Sequence, residues 1–140
     1  TKWRIILINA PTENSIMTTE KKKIFIFDDN LQILELCTEI LDDLGCEVKT
    51  SPTTNHIVDQ VSSFMPDLIF MDNWLPDISG IEATQLIKAN PDLKNIPVIY
   101  FSANSNIAEL STEAGAEDFL AKPFDIDLFE DKVKKFLGFV

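Results

Sequence analysis

The chain has 140 residues, enough for one domain with a real core, and carries 23 acidic side chains against 12 basic ones for a formal net charge of −11. This balance argues against nucleic acid as a direct partner, because phosphate backbones select basic surfaces; it suits a cytoplasmic protein or one that binds divalent cations. No apolar stretch approaches the roughly 18 residues of a membrane span, so no membrane partner is expected.

Thr1–Pro11 begins with basic residues, and its apolar core is only Ile5–Ile8. That is too short for a signal peptide, and no small-residue cleavage site follows closely. Met17-Thr18-Thr19-Glu20-Lys21-Lys22 reads as a natural start with a short polar leader. Residues 1–16 are therefore expected to be an extension, added in cloning or by upstream translation, or disordered, and residues 17–140 the domain. The rival reading is a genuine extra strand or arm that docks on the domain edge or on a second copy.

From Lys23 onward, apolar strands alternate with amphipathic helices. Strand one, Lys23–Phe27, is β-branched or aromatic at nearly every position, as burial on both faces requires. Helix one is predicted over Asn30–Leu44, with Ile33, Cys37, Ile40, Leu41 and Leu44 at helical spacing and Gly45 as the stop. Glu47–Thr50 is a short polar strand suited to a sheet edge. Helix two is predicted over Thr54–Phe64, and Pro66-Asp67 leads into strand three, Leu68–Met71. Ser79 caps helix three, Gly80–Ala89, which Asn90-Pro91 ends. Strand four is Ile96–Phe101, helix four runs from Ser105 or Asn106 to Ala114, strand five is Glu117–Ala121 and helix five is Ile126–Leu137. Five strands and five helices in alternation with short connections predict an α/β fold, a doubly wound five-stranded parallel sheet. No internal repeat or low-complexity tract interrupts it. Cys37 lies on an apolar helix stripe and Cys46 at the start of a strand, so both are expected to be buried free thiols.

In such a sheet the carboxyl ends of all strands share one edge. The loops there carry Asp28 and Asp29, Asp72, Ser102-Ala103 and Lys122-Pro123, after strands one, three, four and five. Singly, each has a plainer reading: a strand-end Asp is usually a turn or cap, and a lone Ser or Lys is usually solvated. Together they place three acids, a hydroxyl and an ammonium at one pocket. Crowded carboxylates repel and resist ionisation, which a hard, oxygen-seeking divalent ion such as Mg²⁺ relieves. The set suggests phosphoryl transfer to Asp72, with the metal and Lys122 neutralising the phosphoryl oxygens. Ser102 would donate a hydrogen bond to the group as a sensor rather than act as a nucleophile.

With those residues in this order, the chain resembles the receiver domain of two-component response regulators over about Lys23 to Gly138. The matching pieces are Asp28-Asp29, the Asp72-x-x-Leu75-Pro76-x-x-x-Gly80 segment, Ser102-Ala103, and Gly115-Ala116 followed by Phe119 and Lys122-Pro123. The resemblance implies a flavodoxin-like (βα)5 fold with strand order 2-1-3-4-5. It also implies roles. Asp72 would be the phosphoacceptor, and Asp28, Asp29, Asp72 and the main-chain carbonyl of Trp74 would hold Mg²⁺. Lys122 would pair with the phosphoryl group across a cis Lys122–Pro123 peptide. Ser102 and Phe119 would form the switch that reshapes the helix four–strand five–helix five face. The implied partner is a sensor histidine kinase or a histidine phosphotransfer protein, and the switched face could also pair two copies as a homodimer. The implied role is phosphorelay signalling, with self-catalysed phosphorylation and dephosphorylation rather than enzymatic turnover.

Some positions depart from the family pattern. Ser79 stands where the family often has an acid, and Phe119 where tyrosine is also common. Trp74 is expected to lie over the mouth of the site and shield an acyl phosphate from water, or else to pack on its loop without kinetic effect. His56 is expected at the surface. Leu36 lies at the edge of the helix-one stripe and Leu31 outside it, where partner docking or ordinary surface exposure would each explain them. Asp28-Asp29-Asn30 lacks the spacing and central glycine of an EF-hand loop, and no glycine-rich loop cradles a nucleotide. With the chain ending at Val140, output is expected through a protein partner, onward phosphotransfer or a domain outside this chain. A phosphate-independent docking module is the alternative function. A phosphatase or flavodoxin-like enzyme is disfavoured, because no second acid follows Asp72 at a suitable spacing.

Overall fold

The computed structural model of the chain describes residues 3–8 and 16–138. The elements run β1 (Trp3–Ile8), β2 (Ile16–Lys21), β3 (Lys23–Phe27), α1 (Leu31–Asp43), β4 (Glu47–Ser51), α2 (Ile57–Phe64), β5 (Leu68–Asp72), α3 (Gly80–Ala89), β6 (Val98–Ser102), α4 (Ile107–Ala114), β7 (Asp118–Ala121) and α5 (Ile126–Leu137). β3 to β7 form one parallel sheet in the order β4-β3-β5-β6-β7. Counted within the domain, this is 2-1-3-4-5, the expected order. The chain leaves β3 for β4 on one side and returns to place β5 on the other. The carboxyl ends of β3 and β5 therefore flank the switch point where such sheets bind ligands.

The five-stranded sheet is covered on both faces. Ile24, Ile26, Phe70 and Phe101 pack with Leu34, Cys37 and Leu41 of α1 and Phe129 and Val133 of α5. Phe25, Phe27, Ile69, Met71 and Tyr100 pack on the opposite side with Val61, Ala83, Ile87 and Ile107 from α2, α3 and α4. Each such fully buried large apolar side chain contributes about 1.5–3 kcal/mol, which fixes strand register because a one-residue slip would reverse the faces. β4 lies at the edge and is largely exposed, in keeping with its polar sequence. Cys37 and Cys46 are buried and form no disulfide, as expected. Burial, reinforced by nearby Asp28, pushes the Cys37 thiol up to about 12 and keeps it unreactive.

Several boundaries differ from the sequence expectation. Helix two begins at Ile57, not Thr54. The Thr54 hydroxyl is bound instead to the 76–78 loop, 2.9 Å from the Pro76 carbonyl and 3.0 Å from the Ile78 N–H that it accepts from. β6 begins at Val98 because Pro97 has no N–H for the ladder, although its carbonyl accepts from Ile69. The Met17–Lys22 leader mostly belongs to a strand: β2 pairs antiparallel with β1, from Trp3↔Lys21 to Ile8↔Ile16, in a two-stranded sheet separate from the other five. No helix among the described residues is long and apolar enough to cross a membrane.

Candidate functional site

β3 delivers Asp28, fully buried, one residue past its last paired position, Phe27. The Asp28 N–H donates to the Ser51 carbonyl at the end of β4, and one carboxylate oxygen accepts from the Asn30 N–H at 2.9 Å. Asn30 in turn caps α1, its side chain accepting from the N–H groups of Gln32 and Ile33. This folds the chain back sharply after Asp28 and leaves Asp29 exposed at the edge. β5 delivers Asp72, buried, as its final residue. One oxygen from each of Asp28, Asp29 and Asp72 lies within 4.8 Å of the others.

Lys122 binds this cluster together. Its Nζ lies 2.5 Å from Asp28 Oδ2 and 2.9 Å from Asp72 Oδ1, and 4.5 Å from the centre of the Phe101 ring. The Lys122 N–H donates to the Ser102 carbonyl at 2.9 Å, and the Lys122–Pro123 peptide is cis. Ser102, buried, follows Phe101, the residue paired with Asp72 across the β5–β6 ladder. Its hydroxyl accepts from the Asn104 N–H at 3.2 Å. Asp28, Asp72 and Lys122 therefore touch directly, Asp29 joins them through its carboxylate, and strand register brings Ser102 to the same sheet edge.

Electrostatics follow from this packing. Burial raises the Asp72 pKa and the Asp28 charge adds to the rise, while the Lys122 hydrogen bond and the Asn73 N–H act to lower it. Burial pulls the Lys122 pKa down, but hydrogen bonds to Asp28 and Asp72 outweigh it and the net shift is upward, so the ammonium stays charged. One cation facing three carboxylates leaves an excess of negative charge at a cluster of hard oxygen donors. That donor set fits Mg²⁺, which binds through a few carboxylates and keeps waters elsewhere.

The loop after Asp72 is pinned at several points. The Ser79 hydroxyl caps α3 by accepting from the Glu82 N–H, as expected from the sequence. Gly80 donates its N–H to the Asn73 carbonyl and sits so close to the Asp72 backbone that an added Cβ would lie 2.0 Å from the Asp72 carbonyl oxygen. Thr54 clamps Pro76 and Ile78. The buried Tyr100 hydroxyl donates to the Asn73 side-chain carbonyl. Trp74, in contrast, is 72% exposed. Thr54, Asn73 and Tyr100 were not expected to matter. The available signal was Tyr100 itself, the single tyrosine of the chain, set in an apolar strand that must find its hydroxyl a partner.

On β7, Phe119 is 37% exposed. Lys132 of α5 lies with its Nζ 5.9 Å from the Phe119 ring centre and 2.8 Å from Asp118 Oδ2. Burial raises the Asp118 pKa, but Lys132, the Phe119 N–H and Lys135 outweigh it and hold the carboxyl below its ordinary range. The Ser111 hydroxyl donates to the Asp118 carbonyl, tying α4 to the same strand. His56 is exposed, as are Leu31 and Leu36.

The family model for the response regulator receiver domain matches residues 24–134. Among curated relatives, the polar-differentiation response regulator DivK of Brucella ovis is 30% identical over 119 residues, which cover 84% of this chain and 97% of DivK. Among solved structures, the receiver domain of the Pseudomonas aeruginosa sensor histidine kinase PA1611, with a magnesium ion coordinated in its active-site cleft, superposes with a TM-score of 0.77 at 28% identity, over 84% of this chain and 98% of that one. The BeF3-activated receiver domain of DrrB superposes with a TM-score of 0.73 at 31% identity, over 84% and 97% of the two chains.

Proposed function

The chain belongs to the response regulator receiver family, and from that premise we propose that it accepts a phosphoryl group from a phosphohistidine donor onto Asp72. The donor is a sensor histidine kinase or a histidine phosphotransfer protein. The observation that carries this reading is the Lys122 ammonium bridging Asp28 and Asp72, with the Asp29 carboxylate within reach of both. An Asp72 oxygen attacks phosphorus, a P–O bond forms, the P–N bond breaks, and its electron pair returns to the donor imidazole. Lys122 neutralises charge on the transferring group, holds Asp72 in line and stays protonated throughout. Asp28, Asp29, Asp72 and the Trp74 carbonyl would hold Mg²⁺, which when bound offsets the charge of the phosphoryl oxygens. Ser102 would donate a hydrogen bond from its hydroxyl to an oxygen of the acyl phosphate.

The consequence is a change of the α4–β7–α5 surface, with Phe119 turning inward from its half-exposed position behind Ser102. The same surface would carry any homodimer contact. Residues 17–140 carry this chemistry, and residues 1–16 stand outside it as an extension. The test is intact mass after incubation with Mg²⁺ and a small phosphodonor. The wild type should gain one phosphoryl mass and Asp72→Asn should gain none. If the wild type neither gains that mass nor binds beryllofluoride, a phosphate-independent docking module becomes the better account.

Trp74 is proposed to limit the approach of water to the acyl phosphate. Because its side chain is mostly exposed, Trp74→Ala should leave stability within about 0.5 kcal/mol of wild type. Autodephosphorylation followed after removal of the donor should be faster in the variant. Equal rates would mean that Trp74 does not shield the site.

A further inference from the structure

The Tyr100–Asn73 hydrogen bond is not needed to fill the core, yet it sits directly behind the acceptor. Tyr100 is fully buried in the middle of β6, in a cluster that is otherwise apolar apart from its hydroxyl. Burying that hydroxyl is costly unless it is hydrogen-bonded. A phenylalanine would fill the same space without that demand. The hydroxyl instead reaches across to Asn73 on the neighbouring strand end and donates to its side-chain carbonyl. Asn73, also buried, is the residue that directly follows Asp72, the last residue of β5. Its own carbonyl accepts from Gly80 at 3.0 Å.

Asn73 is therefore held by its side chain from β6 and by its carbonyl from α3, immediately after the acceptor in the chain. The Asn73 peptide cannot rotate without breaking one of these bonds. We propose that Tyr100 is a positioning residue for phosphoryl transfer, acting through the Asn73 side chain to hold the peptide that follows Asp72 and so fix the acceptor carboxylate. This inference rests on the phosphoacceptor reading of Asp72. A polar pair in an apolar core also rigidifies its surroundings, so a purely structural role must be separated by experiment.

The closing experiment measures phosphoryl uptake from a small phosphodonor at saturating Mg²⁺, as a function of donor concentration, for the full chain. The forms compared are wild type, Tyr100→Phe, Asn73→Ala and the double variant. Tyr100→Phe keeps the ring and its packing and removes only the hydroxyl. Its maximal rate should fall on the order of fivefold, the factor that one net hydrogen bond of about 1 kcal/mol represents, while the half-saturating donor concentration stays unchanged. Asn73→Ala breaks the same link from its other end and should show the same split. The double variant should be no slower than the slower single variant, because both changes remove one connection. A wild type that takes up no phosphoryl group would sink the phosphoacceptor reading itself. A labelled wild type with Tyr100→Phe equal to it in maximal rate, or with additive losses in the double variant, would overturn the positioning role alone.

Discussion

Replacing Lys122 with alanine is expected to destabilise the metal-free protein by about 3 kcal/mol and to remove phosphoryl uptake. The estimate comes from breaking a buried ion pair at one partner only, which leaves charge without compensation. Here the partners are two buried carboxylates, Asp28 and Asp72, held at 2.5 and 2.9 Å by an ammonium that is itself only 16% exposed. The folded-state pKa of Lys122 is raised. Its contribution is therefore complete below its ordinary pKa and is lost as the pH rises through the higher folded value. The loss on substitution should be fully visible at neutral pH. Asp72 has the opposite balance: its folded-state pKa is also raised, so the fold disfavours its charged form. The stability it contributes is present at low pH and falls as the pH rises through that folded value. Asp72→Asn should accordingly be no less stable than wild type at neutral pH. Urea unfolding of the three forms checks both statements. Added Mg²⁺ should recover part of the Lys122→Ala loss, since a cation bound only by the folded state stabilises it. A Lys122→Ala protein as stable as wild type without Mg²⁺ would show that the bridge is not what balances the pocket.

Gly80→Ala should cost stability and function together. A Cβ at Gly80 would stand 2.0 Å from the Asp72 carbonyl oxygen and 3.2 Å from the Asn73 Cα. Both neighbours are backbone, so no side chain can swing away, and either α3 or the end of β5 must move. Overpacking of this kind costs about 3 kcal/mol. The atoms displaced belong to the backbone of the acceptor and of the residue after it, and a shift near 1 Å at a reacting group costs on the order of a hundredfold in rate. Chemical denaturation and the rate of phosphoryl uptake measure the two effects. Near-wild-type uptake in a folded Gly80→Ala protein would mean that the close approach of α3 does not set the position of Asp72.

The strand ends were the legible part of this molecule. Apolar runs closed by Asp28, Asp72, Ser102 and Lys122 imply one shared edge once the sheet is parallel, and the structure brings Asp28, Asp72 and Lys122 into direct contact there. Strand order was less legible, because periodicity gives the type of an element and not its neighbour; it came with the family resemblance. Long-range side-chain bonds were not legible. Thr54 is the expected first residue of helix two, but its hydroxyl binds a loop 22 to 24 residues away. Tyr100 stands in strand four with no local sign of its partner, Asn73, which is 27 residues away. β2 was concealed by a start-like Met17 and by polar residues. Backbone pairing with β1 makes it a strand whatever its polarity, and its Thr18-Thr19 pair suits extended chain.

The central claim is that Asp72 itself takes the phosphoryl group. An acyl phosphate is reduced by borohydride to the alcohol, which converts a phosphorylated aspartate to homoserine and leaves free carboxylates untouched. Peptide mapping after phosphodonor, Mg²⁺ and borohydride should find homoserine at position 72 and not at 28 or 29. Homoserine at position 28 or 29, or a retained phosphoryl mass with position 72 still aspartate, would contradict the account.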